Sequence, residues 1–157
     1  MMGKFSALRF LVLLGGCLMI TACALPPRNS PDFSQVIIPE PRLNSTILVL
    51  YRRVVEPTIF DARISINETQ LVSLPNYAFT WVEVKPREYD LEVNWPGSTV
   101  SSSDKFYFER NKTYFIELQL GFNLGNIFRE HDFELIDKED AIYDLKMCCS
   151  YVPVMQN

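Results

Sequence analysis

The sequence predicts an all-β fold, an antiparallel β-sandwich of seven to eight strands with one short C-terminal helix. Three observations carry this expectation. Apolar Tyr89, Leu91, Val93 and Trp95 alternate with Asp90, Glu92 and Asn94, the pattern of a strand with one buried and one solvated face. Several other short runs rich in aromatic and branched residues are separated by Asn, Pro, Gly and Ser, as in sandwiches. Helical spacing of apolar residues occurs clearly only near the end, at Ala141, Ile142, Leu145 and Cys148.

The first residues read as an export signal. Met1 to Arg9 carry two positive charges and no acid, and an apolar run over 10–20 follows. That run is about a dozen residues, against the roughly 20 that a membrane-spanning helix needs. It ends in Ile20-Thr21-Ala22-Cys23, which resembles the lipobox cut by lipoprotein signal peptidase. The expectation is a signal peptide at 1–22 and a diacylated Cys23, so that the membrane is a partner through an N-terminal lipid anchor. Leu14-Gly15-Gly16-Cys17 fits the same pattern but leaves an h-region shorter than the roughly 7 to 15 residues such regions use. An ordinary cut after Ala22-Cys23-Ala24 is the alternative, and the sequons at Asn44, Asn67 and Asn111 would accompany it.

Cleavage before Cys23 leaves 135 of the 157 residues, enough for one domain. Lys4 and Arg9 leave with the signal and the net charge moves from -4 to -6, which disfavours nucleic acid as a partner. Of four cysteines only Cys148 and Cys149 then remain as thiols, so no disulfide framework is expected. Adjacent cysteines close only a strained ring. The expected fates are one thiol packed as a small hydrophobe and one free or in an intermolecular disulfide. The pair lacks the further ligands of a zinc site.

Residues 23–43 hold five of the ten prolines and predict an extended tether that keeps a domain at 44–157 off the bilayer. Val36-Ile37-Ile38 is the alternative within it, as a first edge strand. Ile47-Leu48-Val49-Leu50-Tyr51 is apolar on both faces, as a central strand is. Phe60, Ala62, Ile64 and Ile66 alternate with polar residues up to a turn at Asn67-Glu68, and a short strand at 70–74 follows. In 77–84 the larger Tyr77, Phe79 and Trp81 are expected toward the core, with Ala78, Thr80 and Val82 outside. A serine-rich loop is expected at 98–104. Phe106-Tyr107-Phe108 and residues 114–120 look like a hairpin through Asn111-Lys112. A loop at 121–126 leads to a last strand at 127–135, and Asp137 reads as the N-cap of the helix, with Glu139 and Asp140 in its first turn.

The stretch from Ile47 to Cys148 resembles small bacterial lipoproteins whose β-sandwich domain is catalogued only as a domain of unknown function, PEGA-like in appearance. The matching residues are Ile64-Ser65-Ile66-Asn67, Leu74, the strand from Tyr77 to Trp81, Val84-Lys85-Pro86-Arg87-Glu88-Tyr89 and Asn111-Lys112-Thr113-Tyr114-Phe115. Such families usually carry a glycine in each of the three turns involved, and this chain has Asn67-Glu68, Pro86-Arg87-Glu88 and Asn111-Lys112 instead. The resemblance implies a fold and a compartment, and no catalytic residue.

No enzyme, cofactor or metal is expected. His131, the only histidine, falls in a strand pattern with no nucleophile signature elsewhere. The acids Asp90/Glu92 and Glu130/Asp132/Glu134 share strand faces, the usual arrangement of a solvated face rather than a glycosidase pair. Tyr77, Phe79 and Trp81 would stack on sugar if exposed. Phe122 and Leu124 place apolar side chains in a loop, a candidate interaction tip. The expected function is a non-catalytic envelope interaction domain that meets another envelope protein or peptidoglycan. The alternative is a carbohydrate or peptidoglycan-binding module. Ala24 after the cysteine resembles lipoproteins sent to the outer membrane, facing the periplasm.

Overall fold

The computed structural model describes residues 24–55, 59–97, 101–121 and 130–155; Cys23, Phe122 and Leu124 lie outside them. The fold is a β-sandwich with one short helix. Its strands are β1 (Thr46–Arg52), β2 (Ala62–Ile66), β3 (Thr69–Leu74), β4 (Ala78–Val84), β5 (Glu88–Asn94), β6 (Ser101–Tyr107), β7 (Thr113–Gly121), β8 (Glu130–Ile136) and the two-residue β9 (Ser150–Tyr151). The helix α1 (Lys138–Cys148) separates β8 from β9. One sheet has the order β8-β7-β1-β4-β9 and the other β3-β2-β5-β6.

β1 is buried along its whole length and lies at the centre of the larger sheet. Leu48 and Leu50 point into the space between the sheets and meet Ile64, Leu91 and Val93 there. Ile47, Val49 and Tyr51 point the other way, into a second apolar layer with Phe79 and Phe115. That layer is covered by Ala141 and Leu145 of α1, and by Phe33, Val36 and Ile38 of the proline-rich segment. Phe33 meets Phe79 edge to face at 5.3 Å between ring centroids.

The alternation at 89–95 is realised in β5, where Tyr89, Leu91 and Val93 are buried and their neighbours half-exposed. Asp137 occupies the N-cap of α1 in extended backbone conformation, although its side chain makes no cap hydrogen bond. Elsewhere the structure departs from the sequence expectation. β1 pairs antiparallel with β4 but parallel with β7, and β4 pairs parallel with β9, so the larger sheet is mixed. Residues 106–108 and 114–120 form no hairpin, because β6 belongs to the smaller sheet and β7 to the larger. Their link crosses the sandwich and is tied to the start of β1 through Asn111 N to Ser45 O (2.7 Å) and Ile47 N to Lys112 O (3.1 Å). Asn111 does take the left-handed conformation, with φ 59°. Part of the serine-rich stretch is strand rather than loop, since Ser101, Ser102 and Ser103 pair with β5 at the sheet edge.

β4 is turned over relative to expectation. Ala78 and Val82 face the smaller sheet, whereas Phe79 and Trp81 face α1. On the inner side of β4 the space is already filled by rings from other segments, Tyr89, Trp95 and Phe108 among them, and the β4 rings fill the space beneath the helix and the irregular segment. The proline-rich segment, expected as an extended tether, is interrupted by a 3-10 turn at Phe33–Gln35 and is fastened down. Ala24 O accepts from Asn76 N (2.9 Å), Pro31 O from Tyr151 N (2.8 Å), and Asp32 bridges Ser150. Val36 and Ile38 turn inward while Ile37 stays exposed, a period of two without strand pairing.

Asn67 and Glu68 join β2 to β3 with φ of 45° and 65°, and Ile66 pairs with Thr69. This is a two-residue turn with both central residues left-handed, where Asn-Gly is the favoured pair. Asn67 is suited to it and also accepts a hydrogen bond from Asp90 N at 2.9 Å. Glu68 gains no such compensation from its backbone position, where a side chain costs about 1 kcal/mol. Glu68→Gly is therefore expected to stabilise the protein by about 0.5 kcal/mol after the greater freedom of glycine in the unfolded chain is subtracted. Urea denaturation measures this, and a lower midpoint would count against the turn geometry.

Candidate functional site

β1 ends at Arg52 and Arg53 follows it directly, so the two side chains leave the end of the strand on opposite sides. Arg52 points between the sheets and is fully buried. Its guanidinium donates to the carbonyls of Val55 (2.5 Å), Phe60 (2.8 Å) and Leu74 (3.0 Å), and lies over the Trp95 ring at 4.8 Å. Desolvation lowers its pKa to about 10, with Asp61 acting in the opposite sense. These carbonyls accept from both Nη atoms, so this arginine fastens the chain after β1 to the end of β3.

Arg53 points to the helix side. It binds both carboxylate oxygens of Glu117, Nε to Oε1 at 2.5 Å and Nη2 to Oε2 at 3.1 Å, and its Nη1 is 3.6 Å from Asp144 of α1. Gln119 also donates to Glu117 Oε2, at 2.8 Å. The Glu117 side chain is only 3% exposed, against 47% for Arg53. The hydrogen bond with Glu117 holds the guanidinium above its ordinary pKa despite some desolvation. Beside this group opens a cleft of about 400 Å³ lined by Arg53, Val54, Val55, Tyr77, Glu117 and Gln119.

The cleft has one buried carboxylate, and its oxygens are occupied by Arg53 and Gln119. No nucleophile and base meet in it, and no group of three potential metal ligands exists among the described residues. What the arrangement does chemically is neutralise a charge inside the fold.

The residues singled out from sequence do not converge here. His131 pairs through its backbone with Leu120 in β8, and its side chain lies outside the description. Asp132 and Glu134 lie on the same sheet face as Gln119 and Glu117, directly opposite them, and are exposed. Asp90 and Glu92 lie on the outer face of β5, across from Lys105 and Ser103. Trp95 and Phe79 are buried, Trp81 is half-buried against the α1 layer and Tyr77 is exposed, so one ring of the strip, rather than all three, is open to a sugar. Cys148 and Cys149 are bonded to each other rather than to another chain. The helix ends there with Cys149 buried, and the turn into β9 brings the two sulfurs together.

Arg52, Arg53 and Glu117 are the residues that sequence reading missed. Their signal is a pair of arginines closing an otherwise apolar central strand, and a lone acid inside Tyr114-Phe115-Ile116-Glu117-Leu118. No family model matches the sequence, and no curated protein matches it.

Breaking the Arg53–Glu117 pair from one side leaves a desolvated carboxylate. Arg53→Met is expected to lose about 2 kcal/mol, less than a fully buried pair would cost because Arg53 is half exposed. Adding Glu117→Leu should restore much of the loss, which a double-mutant cycle on urea midpoints reads directly. If the double variant is as unstable as the sum of the singles, the two residues are not coupled.

Tyr51 pairs in register with Glu117, and its buried hydroxyl has no hydrogen-bond partner among the described residues. Burial pushes this phenol well above its ordinary value, and Glu117 and Asp144 push it further. The folded state therefore holds the proton more tightly than the unfolded chain. The stability this contributes is intact below about pH 10 and is lost as the pH rises through the raised value. Tyr51→Phe is expected to stabilise the protein at neutral pH by about 1 kcal/mol, by removing an unsatisfied polar group. It should also flatten the loss of stability above pH 10 relative to wild type, with Arg52 present in both. Parallel denaturation series in alkaline buffers test this, and identical slopes would refute it.

Proposed function

We propose that this chain is a lipid-anchored lipoprotein of the bacterial envelope whose β-sandwich is a non-catalytic interaction domain. The observation that carries this reading is the order of the N-terminal features: basic n-region, short apolar run, Ile20-Thr21-Ala22-Cys23, and a folded domain from Ala24 onward. A diacylated cysteine provides at least two acyl chains, which stable attachment requires where one chain gives only marginal binding. Ala24, in place of an acidic residue, favours the outer membrane with the domain facing the periplasm. The resemblance to PEGA-like lipoprotein domains belongs to the same reading.

The non-catalytic part of the proposal is supported by where the polar side chains are spent. Arg52 holds three carbonyls, and Arg53, Glu117 and Gln119 satisfy one another. The partner is another envelope component, a protein in preference to peptidoglycan, since Phe79 and Trp81 of the aromatic strip pack against the α1 layer and leave only Tyr77 exposed.

Metabolic labelling with palmitate tests the anchor. Wild-type chain and a Cys17→Ala variant are expected to take up label, and Cys23→Ala to take up none. Unlabelled wild type removes the reading, and label that persists in Cys23→Ala moves the site to another cysteine.

A further inference from the structure

We propose that the end of the sandwich formed by Leu25, Val54, Ile59, Phe60 and Tyr77 rests in the interfacial layer of the bilayer that holds the lipid on Cys23. The inference rests on the reading of Cys23 as the lipidated residue, and goes beyond it by fixing which surface of the domain meets the membrane.

The first link is covalent. Ala24 follows Cys23 directly, and consecutive Cα atoms are only about 3.8 Å apart. Ala24 is itself held to the fold, its carbonyl accepting from Asn76 N at 2.9 Å. A proline-rich stretch that looks like a spacer in the sequence therefore gives no reach, because it is fastened from its first residue. Wherever the Cys23 acyl chains enter the bilayer, the surface around Asn76 is tied to the same place by one residue and the lipid's own glyceryl linkage.

The second link is what that surface exposes. Asn76 Oδ1 accepts from Val55 N (3.3 Å), and Tyr77 N donates to Arg53 O (3.3 Å), which brings residues 53–55 beside Ala24. Arg52 brings in Phe60 by donating to its carbonyl. At this end Leu25 is 57% exposed, Val54 51%, Ile59 57%, Tyr77 40% and Phe60 37%. Five large apolar side chains close together on one end are more than the scattered single ones of an ordinary surface. Tyr77 holds its exposed ring there with φ 56°, a conformation uncommon for an aromatic residue.

The chemistry of the patch suits an interface of water and lipid. Aliphatic side chains enter the acyl boundary, and tyrosine prefers headgroup depth. At the opposite end of the sandwich, where Glu88 pairs with Tyr107 and Lys112 pairs with Glu109, the surface lies a full strand length away.

Brominated lipid measures contact with acyl chains through tryptophan quenching. The full chain, lipidated in a bacterial host, is reconstituted into vesicles of phosphatidylethanolamine and phosphatidylglycerol with dibrominated acyl chains. Three variants, Val54→Trp, Ile59→Trp and the distal Tyr107→Trp, are each read as the emission added over the native tryptophans. The added emission of Val54→Trp and Ile59→Trp is expected to lose most of its intensity, and that of Tyr107→Trp almost none. Equal quenching, or none, at both ends in palmitate-labelled, vesicle-bound protein overturns the orientation and leaves the anchor standing. Protein that carries no palmitate and stays in solution overturns the anchor, and this inference with it.

Discussion

The constraint on which the structure depends is that β1 is apolar on both faces. A strand of that kind cannot sit at a surface, and a single opposing sheet covers only one side of it. The smaller sheet covers Leu48 and Leu50. The helix α1 and residues Phe33, Val36 and Ile38 of the proline-rich segment then cover Ile47, Val49 and Tyr51. The short helix and the proline-rich segment are thus parts of one lid. The mixed pairing of the larger sheet follows from the same requirement, because burying β1 between β4 and β7 brings β7 in parallel after a crossing of the sandwich.

The same double burial explains the electrostatics at the end of β1. Two consecutive arginines must point to opposite sides of a sheet with apolar layers on both. Each is rescued by a different kind of acceptor. On the inner side backbone carbonyls at the ends of neighbouring segments accept from the guanidinium. On the outer side a carboxylate from β7 does so, with Asp144 of the helix nearby. The two arginines therefore lock the smaller sheet and the helix, respectively, to the same point of the central strand.

Much of this was legible in the sequence, and the failures share a cause. β1, β5, the Asn67-Glu68 turn and the helix each announce themselves through local pattern, and each forms as read. The pairing of β7, the facing of β4 and the docking of residues 24–43 are set by distant segments, which local periodicity does not encode. Alternation at 78–84 shows two faces but not which one meets the second sheet. Ser101, Ser102 and Ser103 lack strand propensity and become strand because β5 offers them an edge. Of the polar end of β1, the arginines are visible as residues, but their acceptors are not, because backbone carbonyls have no signature in a sequence.

The first and last described segments meet. Pro31 and Asp32 from the N-terminal segment bond to Tyr151 and Ser150, while Ala24, Ser150 and Val152 all bond along the stretch from Asn76 to Phe79. In mechanical terms the segment before β1 contains no slack. A pull applied at Ala24 is borne first by its bond to Asn76, beside the junction of β4 with β9, and enters the larger sheet at its edge. The covering layer of helix and proline-rich segment would peel before the two sheets parted, so the inter-sheet core is the last part of the molecule to feel the load.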